Sequence, residues 1–325
     1  MTKDERIAIF KETTEYARVN GYRSKTLKFK TSQMQTIMGP YITNMRTVNL
    51  DTVSAARKYH QLGKTAILNM ASWKTPGGGV RRGSQAQEEC LFRCSNLGDA
   101  VPEKHYPLKD NEGLYTYGAY FFRDFHYGFI LPFQVDVITV PAYNLNKHQI
   151  NGDSEEYIEG TKEKIRLILW MAHQNSVKNV ILGAWGCGVY ANDPVFIANT
   201  FKEIIKDEFR GAFRNIIFAV INDSNSMANN YHIFGNTLNT LNFCEFEKKE
   251  LHEIFRYLEL DNVVDFKDVK ERLTGDQIAE MSWEGHDEFV VQPRNIIWIK
   301  EPYPSEVIFT DKKYLRMKRL IETVI

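Results

Sequence analysis

The sequence predicts an α/β protein whose first 245 residues or so form a three-layer α/β/α sandwich. Three observations predict it. Short apolar runs without polar alternation, such as Thr65–Met70 and Asn215–Ile221, read as strands buried on both faces. Longer stretches of helical periodicity separate them, the pattern of strands covered by helices on either side. Two glycine-rich loops each leave such a run and end at a helix-start signal.

Taken in order, residues 4–19 pattern as an amphipathic helix. Asp51 suits the N-cap of a helix running through Leu62, and Gly63 suits its stop. The strand Thr65–Met70 leads into a glycine-rich loop. The next helix is expected near Ser84, because Ser84 and Gln87 have capping-box spacing. The aromatic run Tyr115–Phe122 predicts a strand packed in the core, and Val135–Pro141 another. Asp153 and Glu156 suggest a second capping box for a helix to about Ala172. Val177–Gly183 is a strand. Asp193 followed by Pro194 opens a helix to about Phe209, with a capping carboxylate and a proline at the first helical position. Asn215–Ile221 closes the alternation. Beyond Cys244 the texture changes: a charged helix Glu245–Leu258, strand-like runs Glu288–Gln292 and Asn295–Lys300, and a basic helix from Lys312. This predicts a small α+β extension, with domains at 1–245 and 246–325.

Lysine plus arginine and aspartate plus glutamate each number 41 in 325 residues. That balance argues against a broad electrostatic grip on a long polyanion and leaves room for a small anion in a local pocket. No segment is apolar and long enough to span a bilayer, and the amino-terminal helix lacks signal-peptide features. With only four cysteines, a reduced, cytoplasmic setting is expected. Cys90 and Cys94 stand one helical turn apart, as packed thiols would. His60, His105, His126 and His148 show no ligand spacing, so neither metal nor cofactor is implied. A monomer is expected.

The segment Asn69–Glu89 holds the most chemistry. Gly77, Gly78 and Gly79 follow a strand and precede a helix, a place where backbone N–H groups can face an anion or simply make a tight turn. Glu88 and Glu89 follow at the helix start. At about 100° per residue, Ala86, Cys90, Cys94 and Leu97 share an apolar stripe. Glu89 borders that stripe and Glu88 points away from it. Glu89 is therefore the carboxyl expected to be desolvated and protonated, unless both are solvated glutamates at a helix N-terminus. The second loop, Leu182–Pro194, again ends at a capped helix, so two N–H cradles can converge on one diphosphate beyond the strand ends. Tyr190 there either stacks on a ribose or is a half-buried loop aromatic.

The glycine triplet, a seven-residue spacer and Gln87-Glu88-Glu89 resemble the signature of poly(ADP-ribose) glycohydrolases. The string PGGGVRRGSQAQEECLFRCSNL is similar to their bacterial and fungal branch, and GAWGCGVYANDP resembles that branch's diphosphate loop. The resemblance covers roughly residues 5–240. It implies a macrodomain-like fold with a mixed sheet and hydrolysis of ribose–ribose O-glycosidic bonds, without a cofactor, on ADP-ribose or poly(ADP-ribose) carried by modified targets. It further implies Glu89 as general acid and base and Glu88 as a catalytic partner on the ribose hydroxyls. Gln87, Gly77, Gly78, Gly79, Val80 and Asn69 would line the substrate, and Gly186, Cys187, Gly188 and Val189 would hold the diphosphate. Tyr190, where the branch often has Phe, would position the distal ribose. Terminal, exo-type cutting is implied as well. A Gly-Asp-Ile segment of the kind many macrodomains use on adenine is missing, so adenine contacts do not carry over. Three other readings stay open: a reader that binds ADP-ribose without cutting it, a hydrolase for a protein or nucleic-acid linkage, and a nucleotide-processing enzyme releasing phosphate or AMP.

Overall fold

The computed structural model describes residues 1–31, 36–41, 43–147, 150–221 and 229–238, and the backbone of 290–292 and 296–298. The chain divides into two units, one of residues 1–39 and 44–239, the other of 40–43 and 240–325. In chain order the first unit holds α1 (Lys3–Val19), β1 (Lys25–Lys30), β2 (Asn44–Val48), α2 (Thr52–Tyr59), β3 (Thr65–Met70), α3 (Gln87–Cys94), α4 (Leu97–Ala100), β4 (Glu112–Arg123), β5 (Phe129–Val140), α5 (Glu155–Gln174), β6 (Asn179–Leu182), α6 (Pro194–Glu208), β7 (Asn215–Ala219) and α7 (Asn230–Leu238).

The seven strands make one mixed sheet, ordered β1-β4-β5-β3-β6-β7-β2. β1, β4 and β5 pair antiparallel, whereas β5, β3, β6, β7 and β2 run parallel. All five parallel strands therefore end at one edge. The start of β4 reaches the same edge, because Leu114 pairs with Thr139 near the end of β5. β3 lies inside the sheet with every residue but the last buried, which is why its run is apolar without alternation. On one face Ile67, Val137, Ile181 and Ile217 pack with Val53 of α2 and Leu91 of α3. On the other, Phe218 meets Phe201 of α6 and Phe234 of α7. These are the expected three layers.

Local signals held where the cap is a neighbour in sequence. Asp51 Oδ1 accepts from the N–H groups of Val53 and Ser54 at 2.8 and 2.9 Å. Asp193 Oδ1 accepts from Val195 N–H at 3.0 Å, with Pro194 first in α6. The Tyr115–Phe122 strand extends into a long β4–β5 hairpin. Two boundaries differ from expectation. α5 is capped by Ser154, which accepts from Tyr157 N–H at 3.2 Å, not by Asp153 with Glu156. α3 begins at Gln87 rather than near Ser84, after a 3-10 turn at Val80–Arg82. The reason is tertiary. Arg6 donates to the Gly83 carbonyl at 2.7 Å, and Arg93 donates to the Ser84 carbonyl. Those two carbonyls are drawn aside, so the chain enters the helix only at Ala86.

In the second unit, Val290–Gln292 pairs antiparallel with Ile296–Trp298, inside the two strand-like runs. The helices expected at 245–258 and from Lys312 lie outside the described residues.

Arg93 is wholly buried and pairs with no carboxylate among the described residues. It donates to the carbonyls of Arg6 at 3.1 Å and of Ser84, and to the Tyr127 hydroxyl at 3.4 Å. Arg93→Met should orphan these acceptors and cost about 2–4 kcal/mol in urea unfolding. A loss below about 0.5 kcal/mol would show that this anchor is dispensable.

Candidate active site

The site grows from the end of β3. Asn69 is buried there, opposite Thr139 of β5, and its Nδ2 donates to Thr139 Oγ1 and to Glu88 Oε1, each at 3.3 Å. The loop that follows curls back over the first turn of α3. Its amides then meet the two carboxylates. Glu88 Oε2 accepts from Ser72 N–H at 2.7 Å and Glu88 Oε1 from Gly77 N–H at 3.1 Å. Glu89 Oε1 accepts from Gly79 N–H at 2.8 Å, and Glu89 Oε2 from Ala86 N–H at 2.9 Å, closing the helix start on itself. Gly78 sits between them in a left-handed conformation, φ +54°. A Cβ there would lie 2.7 Å from Glu89 Oε1 and 2.9 Å from Glu88 Oε2. The two carboxylates thus converge on the space that a side chain at Gly78 would fill.

Sequence reasoning placed Glu89 against a desolvating wall and Glu88 away from it; the structure buries Glu89 as expected and corrects the placement of Glu88. Both are buried, Glu88 at 3% exposure and Glu89 at 7%. A helical wheel places Glu88 away from the apolar stripe, but the returning loop covers that side. Burial pushes Glu88 up from 4.5 to about 8; the N–H of Ser72 opposes this and the charge of Glu89 adds to it.

The glycine loop corrects a second expectation. Its N–H groups face inward, on protein acceptors: Gly77 on Glu88, Gly79 on Glu89, and Gly78 on the Thr75 carbonyl at 3.1 Å. They are not open to an anion. Val80 is buried in the core. Gln87 is saturated as well: its Oε1 accepts from Met70 N–H at 2.9 Å, and its Nε2 donates to Leu68 O at 2.7 Å and Thr52 Oγ1 at 3.1 Å. It braces α3 to β3 and α2 instead of presenting its amide to a ligand.

The second loop leaves β6, the neighbour of β3. Asn192 is its internal staple. Its Nδ2 donates to Tyr143 O at 2.8 Å and Gly186 O at 3.0 Å, while its Oδ1 accepts from the Tyr157 hydroxyl at 2.8 Å. Cys187, Ala191 and Asn192 use their N–H groups within the loop. Those of Gly186, Gly188, Val189 and Tyr190 donate to no acceptor among the described residues. Val189 is 72% exposed, and a Cβ on Gly188 would meet nothing within 4 Å. Cys187 is buried, which pushes its thiol up. The two loops meet: the Tyr190 hydroxyl lies 3.5 Å from the Ala71 carbonyl. Burial, then the charge of Glu88, raises Tyr190 above its ordinary range.

Sequence reasoning missed Ser72, Thr139, Asn192 and Tyr106. Tyr106 reaches the same edge on the chain entering β4, where Leu108 N–H donates to Trp73 O at 2.8 Å. Burial and the charges of Glu88 and Tyr190 raise its phenol. Only Asn192, just before the Asp193-Pro194 start, carried a local hint. Cys90 and Cys94 are packed thiols, Sγ to Sγ 3.9 Å. Among the described residues no three His, Cys, Asp or Glu side chains gather as a metal site. No described helix is long and apolar enough to cross a membrane.

A mixed sheet between helix layers, with loops gathered at the parallel strand ends, is a macrodomain-like α/β domain. The model for "Microbial-type PARG, catalytic domain" matches residues 3–122, so that segment is similar to the microbial-type poly(ADP-ribose) glycohydrolases. The solved structure of poly(ADP-ribose) glycohydrolase from Thermomonospora curvata, bound to the inhibitor ADP-HPD, is 27% identical with a TM-score of 0.61, covering 72% of this chain and 99% of that one. The enzyme from Deinococcus radiodurans in complex with ADP-ribose is 28% identical with a TM-score of 0.62, covering 71% of this chain and 98% of that one. No curated protein matches the chain.

Two outcomes test this geometry. Gly78→Ala forces a Cβ against both carboxylates in a left-handed conformation, so it should cost about 1–3 kcal/mol in denaturant unfolding; a neutral result would mean the carboxylates do not converge there. Glu88 has a folded pKa above its unfolded value. Between pH 4.5 and about 8 the folded state holds a proton that the unfolded chain has released. Stability therefore falls as pH rises through that window and is unaffected below it. Glu88→Gln should flatten the decline of the unfolding midpoint between pH 5 and 8; an unchanged slope would contradict the burial argument.

Proposed function

We propose that this protein is a poly(ADP-ribose) glycohydrolase that hydrolyses ribose–ribose O-glycosidic bonds and releases ADP-ribose. The catalytic domain in this reading comprises residues 1–245, with 246–325 an extension. The observation that carries it is the pair Glu88 and Glu89, buried together and held in one place by the amides of the glycine loop. Such a pair supplies the proton that a departing glycosidic oxygen needs.

Glu89 acts as general acid and then general base. Its carboxylate is oriented from both sides by Gly79 and Ala86, so it meets the scissile oxygen without reorganising. Glu88, kept protonated near neutral pH by burial, donates to a ribose hydroxyl. The diphosphate sits on the open amides of Gly186, Gly188, Val189 and Tyr190, and its negative charge favours protonation of the nearby carboxyls. Tyr190 closes the distal ribose side; its hydroxyl, the departure from the usual Phe, is directed to the Ala71 carbonyl. Asn69, Gly77, Gly78, Gly79 and Val80 shape the floor, with Gln87 as a brace. Cys187 packs under the diphosphate loop. The reaction needs no metal. Terminal units are the favoured substrate, and a cytoplasmic monomer is the working form.

A reader of ADP-ribose would have no use for two buried carboxylates at the sugar end, which favours hydrolysis over binding alone. The full chain incubated with poly(ADP-ribose), with products identified by mass, should release ADP-ribose; AMP or phosphate would point to nucleotide processing. Glu89→Gln should lower release at least about 100-fold while retaining ADP-ribose affinity. Glu88→Gln mimics the protonated carboxyl and should lose much less. The reverse ranking would transfer the acid role to Glu88.

A further inference from the structure

Two buried polar atoms beside Glu88 lack a partner among the described residues: the Tyr106 hydroxyl and Asn69 Oδ1. A buried donor or acceptor left unmade is costly and needs an explanation. The ring of Tyr106 is accounted for, since it packs against the core cluster. Phenylalanine would fill that place equally well, so packing leaves the hydroxyl unexplained. Its position is built. Tyr106 N–H donates to the Glu103 carbonyl at 2.9 Å, and two residues on, Leu108 ties the segment to Trp73, next to the Ser72 that holds Glu88.

We infer that Tyr106 is a substrate-positioning residue, whose phenol O–H donates to a hydroxyl of the ribose at the Glu88 end of the site. This rests on the ADP-ribose reading above. The ligand atom is a hydroxyl and not a phosphate oxygen, because the glycine loop beside Glu88 has spent its N–H donors on Glu88, Glu89 and the Thr75 carbonyl, so an anion there would be buried without the donors it needs. Asn69 Oδ1 supplies the matching acceptor. A donor and an acceptor, each beside Glu88, fit the two-way hydrogen bonding of a sugar hydroxyl. The diphosphate has its own donors on the second loop.

Tyr106→Phe deletes only the hydroxyl. Calorimetric titration should show ADP-ribose binding weakened about tenfold, the loss of one buried hydrogen bond. Binding of ADP, which lacks the distal ribose, should not change. KM for poly(ADP-ribose) should rise in step, and the unfolding midpoint should stay level or increase, which separates positioning from structural support. ADP-ribose affinity within twofold of wild type overturns the inference, as does equal weakening of ADP. If the unaltered protein releases ADP-ribose while Tyr106→Phe is indistinguishable from it, only the tyrosine assignment falls. If the unaltered protein neither binds nor releases ADP-ribose, the glycohydrolase reading falls and takes this inference with it.

Discussion

Everything at this site depends on a few backbone amides closing on two adjacent carboxylates. Glu88 and Glu89 are consecutive, buried, and of like charge when ionised. Burial without partners is prohibitive for such a pair. The amides of Ser72, Gly77, Gly79 and Ala86 supply those partners. Because these four donors are main chain, they are fixed by the loop's path and not by a rotamer. The path in turn requires a residue without a side chain at Gly78. Chemistry and backbone shape are therefore one constraint: the loop exists in this form because the carboxylates do.

The surrounding residues maintain that constraint at longer range. Gln87 pairs with the backbone of β3 on both sides of its amide and reaches α2 through Thr52. Helix α3 is thereby locked to the sheet at the residue before the pair. From the other side, Arg93 and Arg6 hold the carbonyls of Ser84 and Gly83. The pair sits between two anchors drawn from α1, α2 and β3. The burial that raises Glu88 is produced by the same closure, so its proton affinity is a property of the whole assembly.

What could be read in the sequence follows from the range of each interaction. β3 was legible to the residue, because a strand buried on both faces advertises itself in an unbroken apolar run. Asp51 and Asp193-Pro194 were legible because a cap acts on residues two or three along. The start of α3 was not, since Arg6 decides it from 77 residues away through Gly83. Glu88 was misplaced for a related reason. A helical wheel records which side a residue faces but not what later folds over that side. Tyr106 gave no sign, as it lies in an aperiodic segment and acquires its role only when β4 brings it to the ends of the parallel strands.

The two glycine loops look alike in sequence and differ in what their amides do. The first loop's N–H groups are turned inward, so it offers a ligand carboxyl groups and the Asn69 carbonyl. The second is stapled internally by Asn192, which frees the amides of Gly188, Val189 and Tyr190 from any structural duty among the described residues. Gly188 makes the point most sharply: its surroundings would admit a side chain, so the fold itself does not demand glycine there, whereas close approach of a ligand to the backbone would. The polarity of the site follows. A ligand that is anionic in its middle and neutral and hydroxylated at one end meets bare amides with the first part and carboxyls with the second, and the 3.5 Å contact between Tyr190 and Ala71 brings those two surfaces together. A ligand charged at the wrong end would bring an anion to a loop whose N–H donors are already spent on Glu88, Glu89 and the Thr75 carbonyl, and that shortage of donors selects the direction in which a sugar diphosphate enters.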